Sequence, residues 1–303
     1  RKHPEEARDS FGEDPFEVKN ILKYWVFSEK PEFHVIPTDT INIHIDKDAL
    51  LRSGIMLPKT IRHLKGEDLK DAIPDKLYIP LTDIRMLTKV DLLMLEMLAN
   101  CNWERPLYLA ISVGSVSKLK FDNYFVQEGL AFRFTPFDYK KWGDVGENRL
   151  YAVDVERLYN NVMNRYKYGG LDTPGLYLDE TTLRTCWYHR RLFAQLAKEL
   201  IAQGDNERAK KVLAYAEQVI PGYNVPETHE SGSYDIATAY AALGEKTKAV
   251  TLAVHLIAEA EDYINWAFSL KGNRIEMVRN DCIYKFWQWN QYNELLKKID
   301  GEK

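Results

Sequence analysis

Two helix pairs of similar pattern follow one another in the C-terminal half, and this repetition constrains the fold more than any other feature. The first copy consists of Leu196, Ala197 and Leu200 before Gly204, then Ala209, Leu213, Ala216 and Pro221. The second copy, about 40 residues later, consists of Ile236, Ala237, Tyr240, Gly244, Ala249 and Ala253. This spacing of small and large residues is typical of the tetratricopeptide repeat of ~34 residues. The alanines allow the two helices of each pair to approach closely.

The pattern extends beyond the two copies and predicts a helical domain over residues 151–303. A long helix is expected from Glu180 to Gln203, after a first helix that begins at Asp154. A degenerate third unit, Asn273 to Ile299, carries Trp287, Trp289 and Tyr292 and is expected to cap the array. The 11 residues from Gly222 to Gly232 separate the two copies and are expected to form a loop.

Residues 1–150 show a different pattern, which predicts a small α/β module. A helix is expected to begin at Asp14-Pro15, because Asp is a good N-cap and Pro suits the first helical position. The stretch Thr88 to Asp91 resembles a capping box and opens a helix to Ala99. That helix is apolar nearly all round, so we expect it to be covered on most sides. The fold class is therefore α+β, a small α/β module followed by a helical repeat domain.

Four short segments of the module are expected to be strands. They are Thr40–Asp46, Leu77–Leu81, Leu107–Val113 and Leu130–Phe134. The first alternates strictly and is expected to be half-buried, whereas the third is apolar on both faces, as in a buried parallel strand. The order strand, helix, strand within about 40 residues suggests a right-handed crossover between the second and third strands.

Composition excludes several classes of protein. A net charge of −4 argues against a dedicated nucleic-acid binder, which normally carries a basic face. Three cysteines are too few and too widely spaced for a disulfide framework or a thiolate metal site. No stretch is apolar for long enough to span a membrane. The chain begins at Arg1 rather than Met, and we expect it to be part of a longer protein.

The segment Asn102-Trp103-Glu104-Arg105-Pro106 is the first candidate binding site. It lies between the apolar helix and the third strand, where ligands often bind in open α/β sheets. Arg105 is suited to a phosphate or carboxylate, and Trp103 is suited to stacking on a sugar. The alternative is structural: Trp103 fills a corner, and Arg105 bonds to carbonyls at the end of the helix.

Two further pairs are candidate binding residues with equally plain structural readings. In the functional reading, Glu128 is an acid and Arg133 binds an anion. In the structural reading, the two side chains form an ion pair within the module. Tyr177 and Asp179 precede the long helix, where a carboxylate is favourable because it faces the positive end of the helix dipole.

No motif of this sequence predicts a catalytic residue, a metal ligand or a cofactor. Asp46-Lys47-Asp48 has the D-x-D form that can hold a divalent cation, but helix capping explains it better. The seven histidines show no metal-ligand spacing. We therefore expect no catalytic constellation, no metal and no cofactor in this chain.

Several stretches together resemble a known family. They are Asp83–Ala110, Tyr124–Pro136, Asn164–Glu180 and Arg190–Pro221, in that order. They are similar to the C-terminal region of a bacterial polytopic membrane-protein family of unknown function. The membrane half of that family resembles GT-C glycosyltransferases and is related to an animal protein O-mannosyltransferase.

The resemblance implies a non-catalytic accessory domain of a glycosyltransferase-like membrane protein, on the periplasmic face of the bacterial inner membrane. Its partners would be its own membrane-embedded half and an acceptor polypeptide or glycan, with membrane association through the preceding N-terminal segment and no nucleic acid. The catalytic acid of GT-C enzymes lies in a membrane-half loop that this chain does not contain.

Two other functions stay open at this stage. The first is an envelope scaffold that binds a partner protein through the repeats and takes no part in sugar transfer. The second is a hydrolase or transferase in the α/β module around Trp103, Arg105 and Glu128. The repeats and the lack of a catalytic motif favour the scaffold over the enzyme.

Overall fold

The computed structural model describes residues 14–30, 34–36, 38–113, 119, 121–146, 149 and 151–301. The chain divides into two compact units, Arg1–Asp154 and Val155–Lys303. The first is a mixed unit of short helices and two small sheets, and the second is helical. The α+β fold class expected from the sequence is thus confirmed. Within the described residues, no helix has the length and apolar character needed to cross a bilayer.

The first sheet of the N-terminal unit is a two-stranded antiparallel ribbon. Strand β1 (Thr40–His44) pairs with β2 (Lys76–Pro80), so that Ile41 lies opposite Ile79 and Ile43 opposite Leu77. These four side chains are buried in one core, as the alternating pattern of β1 predicts, but Asn42 on the opposite face is buried as well, so the expectation of a half-buried strand is wrong. Between the strands lie the short helices α2 (Lys47–Arg52) and α3 (Gly66–Ala72).

The helix expected at Asp14 begins later. Helix α1 (Val18–Ile21) continues as one wider π-helical turn, Leu22–Val26, and the two together bury Val18, Ile21, Leu22 and Trp25. Asp14 does not cap this helix. Its carboxylate accepts hydrogen bonds from the side chains of Asn42 at 3.1 Å and Lys76 at 2.5 Å. Asp14 is therefore bonded to both strands of the ribbon.

Helix α4 (Lys89–Asn100) begins where the sequence predicts, but it is not buried on most sides as expected. Thr88 Oγ1 accepts from the Asp91 backbone N–H, and Asp91 Oδ2 accepts from the Thr88 N–H at 2.7 Å, which completes a capping box. The expectation that α4 is covered on most sides is wrong, because Val90, Leu93 and Met97 are exposed. Only the face that carries Leu95, Leu98 and Ala99 is buried.

The second sheet contradicts the predicted crossover. Its order is β3 (Tyr108–Ala110), β5 (Ala131–Phe134), β4 (Phe125–Gln127), β6 (Ala152–Val153). Strand β3 is short, half-exposed and antiparallel to β5, so it is not a buried parallel strand. Because β2 and β3 lie in different sheets, no right-handed crossover joins them. The predicted strand at Leu130–Phe134 is confirmed as β5.

The C-terminal unit consists of helices joined by short connections and loops. After α5 (Val155–Asn160) and a π-helical turn, Asn161–Arg165, come α6 (Glu180–Ala202), α7 (Asn206–Val219), α8 (Ser233–Ala242), α9 (Lys246–Ser269), α10 (Asn273–Met277) and α11 (Arg279–Gly301). The long helix predicted from Glu180 is confirmed to within one residue. Helix α6 packs on α7 and α8, and α9 packs on α8 and α11.

The two predicted helix pairs are present as α6–α7 and α8–α9. Gly204 (φ 79°) and Gly244 (φ 75°) end the first helix of each pair in the left-handed region, where a residue with a side chain is strained. The small residues Ala197, Ala209, Ala237, Ala249 and Ala253 are all fully buried, as close helix packing requires. The third unit, α10–α11, places Tyr292 in the core and Trp287 at the surface.

Phe193 on α6 gives a test of this core. Its ring is fully buried and lies 5.6 Å from that of Tyr168 and 6.0 Å from that of Tyr215. We expect Phe193→Ala to lower the free energy of unfolding by about 3–5 kcal/mol, because it leaves a cavity. Urea denaturation of the full chain, monitored by far-ultraviolet circular dichroism, measures the change in the free energy of unfolding.

The control is Val254→Ala on α9, where the side chain is half-exposed. This variant should stay within about 0.5 kcal/mol of the wild-type chain. Equal losses in the two variants would contradict the assigned helix faces.

Candidate functional site

The predicted segment around Trp103 forms a tight connection between α4 and β3. Asn102 (φ 49°) and Trp103 (φ 60°) both adopt left-handed backbone conformations, which non-glycine residues rarely do. The Trp103 ring is buried, stacks on Phe134 at 6.3 Å, and donates its Nε1–H to the His44 carbonyl at 2.8 Å. Trp103 therefore fills a corner of the core and offers no face to a sugar.

Arg105 lines a very small cavity. Trp103, Arg105 and Arg133 line this cavity together, so the structure does bring three of the predicted residues to one place. Its volume is about 10 Å³, enough for one water molecule and too small for a sugar or a phosphate. The backbone N–H of Arg105, rather than its guanidinium, bonds to the Cys101 carbonyl at the end of α4.

Glu128 and Arg133 form an ion pair inside the N-terminal unit. Arg133 Nη1 lies 3.6 Å from Glu128 Oε1, and both side chains are more than nine-tenths buried. Arg133 Nη2 donates to the carbonyl and hydroxyl of Ser53 at 2.9 and 2.8 Å, and Tyr108 donates its hydroxyl to Glu128 at 2.8 Å. The pair thus ties the end of α2 to the second sheet, as the structural alternative predicts.

Of the two acidic residues of the D-x-D stretch, Asp46 caps a helix and Asp48 forms an ion pair. Asp46 Oδ1 accepts from the Ala49 N–H at 2.9 Å, at the start of α2. Asp48 pairs with Lys70 at 2.8 Å, and this hydrogen-bonded ammonium lowers the pKa of Asp48. The capping interpretation of the D-x-D stretch is confirmed. In the part of the chain that the structure describes, no cluster of three or more His, Cys, Asp or Glu side chains is arranged to hold a metal ion.

Tyr177 and Asp179 lie at the start of α6, in the other unit. Asp179 accepts from the backbone N–H groups of Thr181 and Thr182 at 2.9 and 3.1 Å and from the Thr182 hydroxyl at 2.7 Å. Those hydrogen bonds lower the pKa of Asp179, the bond from the Thr182 hydroxyl most strongly. Asp179 is therefore an N-cap, while Tyr177 is almost fully exposed and lies in the loop before it.

A larger cavity lies among the helix pairs and is the better candidate site. It has a volume of about 260 Å³ and is lined by residues of α7, α8 and α9, by one residue of α6 and by the segment that connects α7 to α8. We call it the repeat groove. At its polar side, Lys248 Nζ lies 2.7 Å from Glu217 Oε2 and 5.0 Å from the centre of the Tyr240 ring. Tyr240 donates its hydroxyl to Glu217 at 2.5 Å. Burial, with the Glu217 carboxylate, raises the pKa of Tyr240, so this hydroxyl keeps its proton.

The rest of the repeat groove offers small hydroxyl and apolar side chains. Its lining includes Ser233, Ile236, Thr247, Thr251 and Leu252. A surface with two carboxylates (Glu217 and Glu227), one ammonium, several hydroxyls and apolar patches can contact both the backbone and the side chains of an extended polypeptide.

Arg190 lies at the wall of the repeat groove, and sequence reasoning missed it. Its guanidinium is buried, with no carboxylate of the described residues within ion-pair distance, and it donates to four neutral oxygens. They are the carbonyls of Ile220 (3.0 Å), Val225 (2.6 Å) and Pro226 (2.8 Å) and the Ser231 hydroxyl (3.1 Å). Burial lowers the pKa of Arg190 to about 10, so it stays charged at neutral pH.

A sequence signal for Arg190 did exist. Arg190 shares a face of α6 with Phe193, Ala194 and Ala197, which are three, four and seven residues further on and fully buried. A charged residue on an apolar helix face is buried only when its donors are satisfied, so this position predicts a structural hydrogen-bond hub.

The Glu128–Arg133 pair generates a stability prediction. We expect Arg133→Met to cost about 3–5 kcal/mol of unfolding free energy, because it removes the guanidinium that pairs with the buried Glu128 carboxylate. The double variant Glu128→Gln/Arg133→Met should recover part of that loss. Urea denaturation of the full chain measures both variants.

Arg52→Met is the matched control for this prediction. Arg52 and Glu104 are also 3.6 Å apart, but both side chains are largely exposed. The control should change stability by less than about 1 kcal/mol. A double variant less stable than Arg133→Met alone would show that the charge of Glu128 is not what makes the single substitution costly.

A match to a known protein family covers the N-terminal unit. The family model described as TMEM260-associated domain 2 matches residues 6–156. This region therefore resembles a domain associated with a membrane protein, and the match does not extend to the helix pairs. Neither the curated proteins nor the solved structures contain a match to this chain.

Proposed function

We propose that this chain is a non-catalytic accessory part of a membrane-embedded glycosyltransferase-like protein, in which the repeat groove presents an acceptor polypeptide. The observation that carries the proposal is the groove itself, to which the four successive helices α6 to α9 contribute side chains. Its walls combine the Glu217–Lys248 pair with hydroxyl and apolar groups, and this mixture suits a polypeptide better than a small ligand of single charge. Under this proposal the α6–α7 and α8–α9 pairs act as tetratricopeptide-like repeats.

The link to sugar transfer is supported by the N-terminal unit. Its family description names TMEM260, a membrane protein that resembles protein O-mannosyltransferases. The sequence motifs of residues 83–136 resemble a membrane family of the same kind. We place the chain on the periplasmic face of a bacterial inner membrane, joined to its own membrane-embedded half.

The experiment that tests polypeptide binding blocks the groove. Thr251 lies in the groove lining on α9, is exposed, and bonds its hydroxyl to the Thr247 carbonyl at 2.9 Å. We expect Thr251→Trp to weaken binding of a fluorescein-labelled, unstructured Ser/Thr-rich peptide roughly tenfold, because the indole occupies the peptide's space. Fluorescence anisotropy with the full chain measures the affinity.

The control is Thr238→Trp on α8. Thr238 is also an exposed helical threonine, with its hydroxyl bonded to the Tyr234 carbonyl at 2.9 Å, but it does not line the groove. This variant should bind the peptide as the wild-type chain does. Equal binding by both variants, or no binding by the wild type, would contradict the proposal.

The link to sugar transfer has a test of its own in the parent protein. Removal of residues 155–303 should lower transfer to a polypeptide acceptor without removing the catalytic half. Unchanged transfer, together with a stable partner bound to the helix pairs, would favour the envelope scaffold instead.

A further inference from the structure

The end of the last helix hairpin exposes an unusual number of large apolar side chains. The hairpin tip, as we call it, spans residues 266–287, from the last turn of α9 through α10 to the first turns of α11. Its exposed large apolar residues are Trp266, Phe268, Met277, Ile283, Tyr284, Phe286 and Trp287. Met277 is 83% and Phe268 63% exposed. Soluble proteins usually expose large apolar side chains singly, so a group of this kind marks an interaction surface.

At the tip, exposed aromatic residues lie in pairs. Further along α11, the large apolar residues are buried instead. The rings of Phe268 and Phe286 lie 6.1 Å apart, and Tyr284 stacks on Trp287 at 5.7 Å. Further along α11, Tyr292, Leu295 and Ile299 are buried. The apolar exposure is therefore concentrated at the end of the hairpin, with Val254 of α9 as an isolated exposed residue further along it.

The charge of the hairpin tip differs in sign from that of the chain. Between Trp266 and Trp287 there are four basic and two acidic side chains, whereas the whole chain carries −4. Arg279 pairs with Glu276 at 3.5 Å, and Lys285 pairs with Glu259 at 2.9 Å. Lys271 and Arg274 are exposed and make no ion pair with the described residues. The tip thus presents two available cations beside its apolar side chains.

We propose that the hairpin tip inserts into the interface of a bilayer that contains anionic lipids. Phe268, Met277 and Ile283 would enter the boundary of the acyl chains, while the amphipathic rings of Trp and Tyr suit the level of the headgroups. Lys271 and Arg274 would contact the lipid phosphates. A symmetric dimer through the same surface is disfavoured, because it would bring the two pairs of cations together. This inference does not rest on the proposed function.

Vesicle co-sedimentation tests the proposal with the full chain. The chain should pellet with vesicles of equal parts phosphatidylcholine and phosphatidylglycerol, and much less with phosphatidylcholine alone. Phe268→Ser/Met277→Ser should weaken binding roughly tenfold or more, because two large apolar side chains no longer leave water. Lys271→Glu/Arg274→Glu should weaken binding by at least a similar factor on the anionic vesicles.

The matched control is Val90→Ser/Met97→Ser, which removes two exposed apolar side chains from α4. This control should pellet with the vesicles as the wild-type chain does. The tip variants should bind the Ser/Thr-rich peptide with wild-type affinity. The proposal is overturned if the wild type does not pellet, or if the tip variants and the control lose binding equally. A dimer that the tip variants abolish, without pelleting, would also overturn it and would assign the surface to a second copy.

Discussion

The buried guanidinium of Arg190 is the interaction on which the helical unit depends. Four of its N–H groups bond to oxygens of residues 220–231, the segment that connects α7 to α8. This segment has no regular structure of its own, and its carbonyls would otherwise have no helix or strand to satisfy them. By fixing the connection, Arg190 sets where the second helix pair begins relative to the first, and hence the walls of the repeat groove.

The neighbouring Gly232 supports the same arrangement. It caps α8 with φ 84°, and a Cβ atom there would lie 2.9 Å from Arg191 Cγ and 3.3 Å from Arg191 Cα. Only glycine combines this backbone conformation with such a close approach to α6. Arg190 and Gly232 thus act together: one binds the connecting segment through its carbonyls, and the other allows it to lie against the helix.

Helix periodicity and capping could be predicted from the sequence, and tertiary environment could not. The spacing around Gly204 and Gly244 predicts both helix pairs, and Asp179 and Thr88 predict helix starts, because these signals are local. The apolar run Leu107–Val113 predicts a buried strand, but β3 is a short edge strand. Apolar character alone does not say which sheet a strand joins. The same limit explains why Leu93 and Met97 are exposed on α4.

The candidate site shows this limit most clearly. Trp103 and Arg133 have the residue types of a ligand site, yet the fold uses them as a core aromatic and as one half of a buried ion pair. The repeat groove is formed by Glu217, Tyr240 and Lys248, which lie on three helices and show no motif in sequence. Their proximity depends on the packing of α7, α8 and α9, and no spacing rule along the chain encodes it.

Hydrogen–deuterium exchange of the full chain, with and without the unstructured Ser/Thr-rich peptide, tests the central claim most directly. If the repeat groove holds a polypeptide, the added peptide slows amide exchange in α7, α8 and α9 and leaves residues 38–113 unchanged. Slowed exchange confined to the N-terminal unit, or no change at saturating peptide, would contradict the assignment of polypeptide binding to the groove.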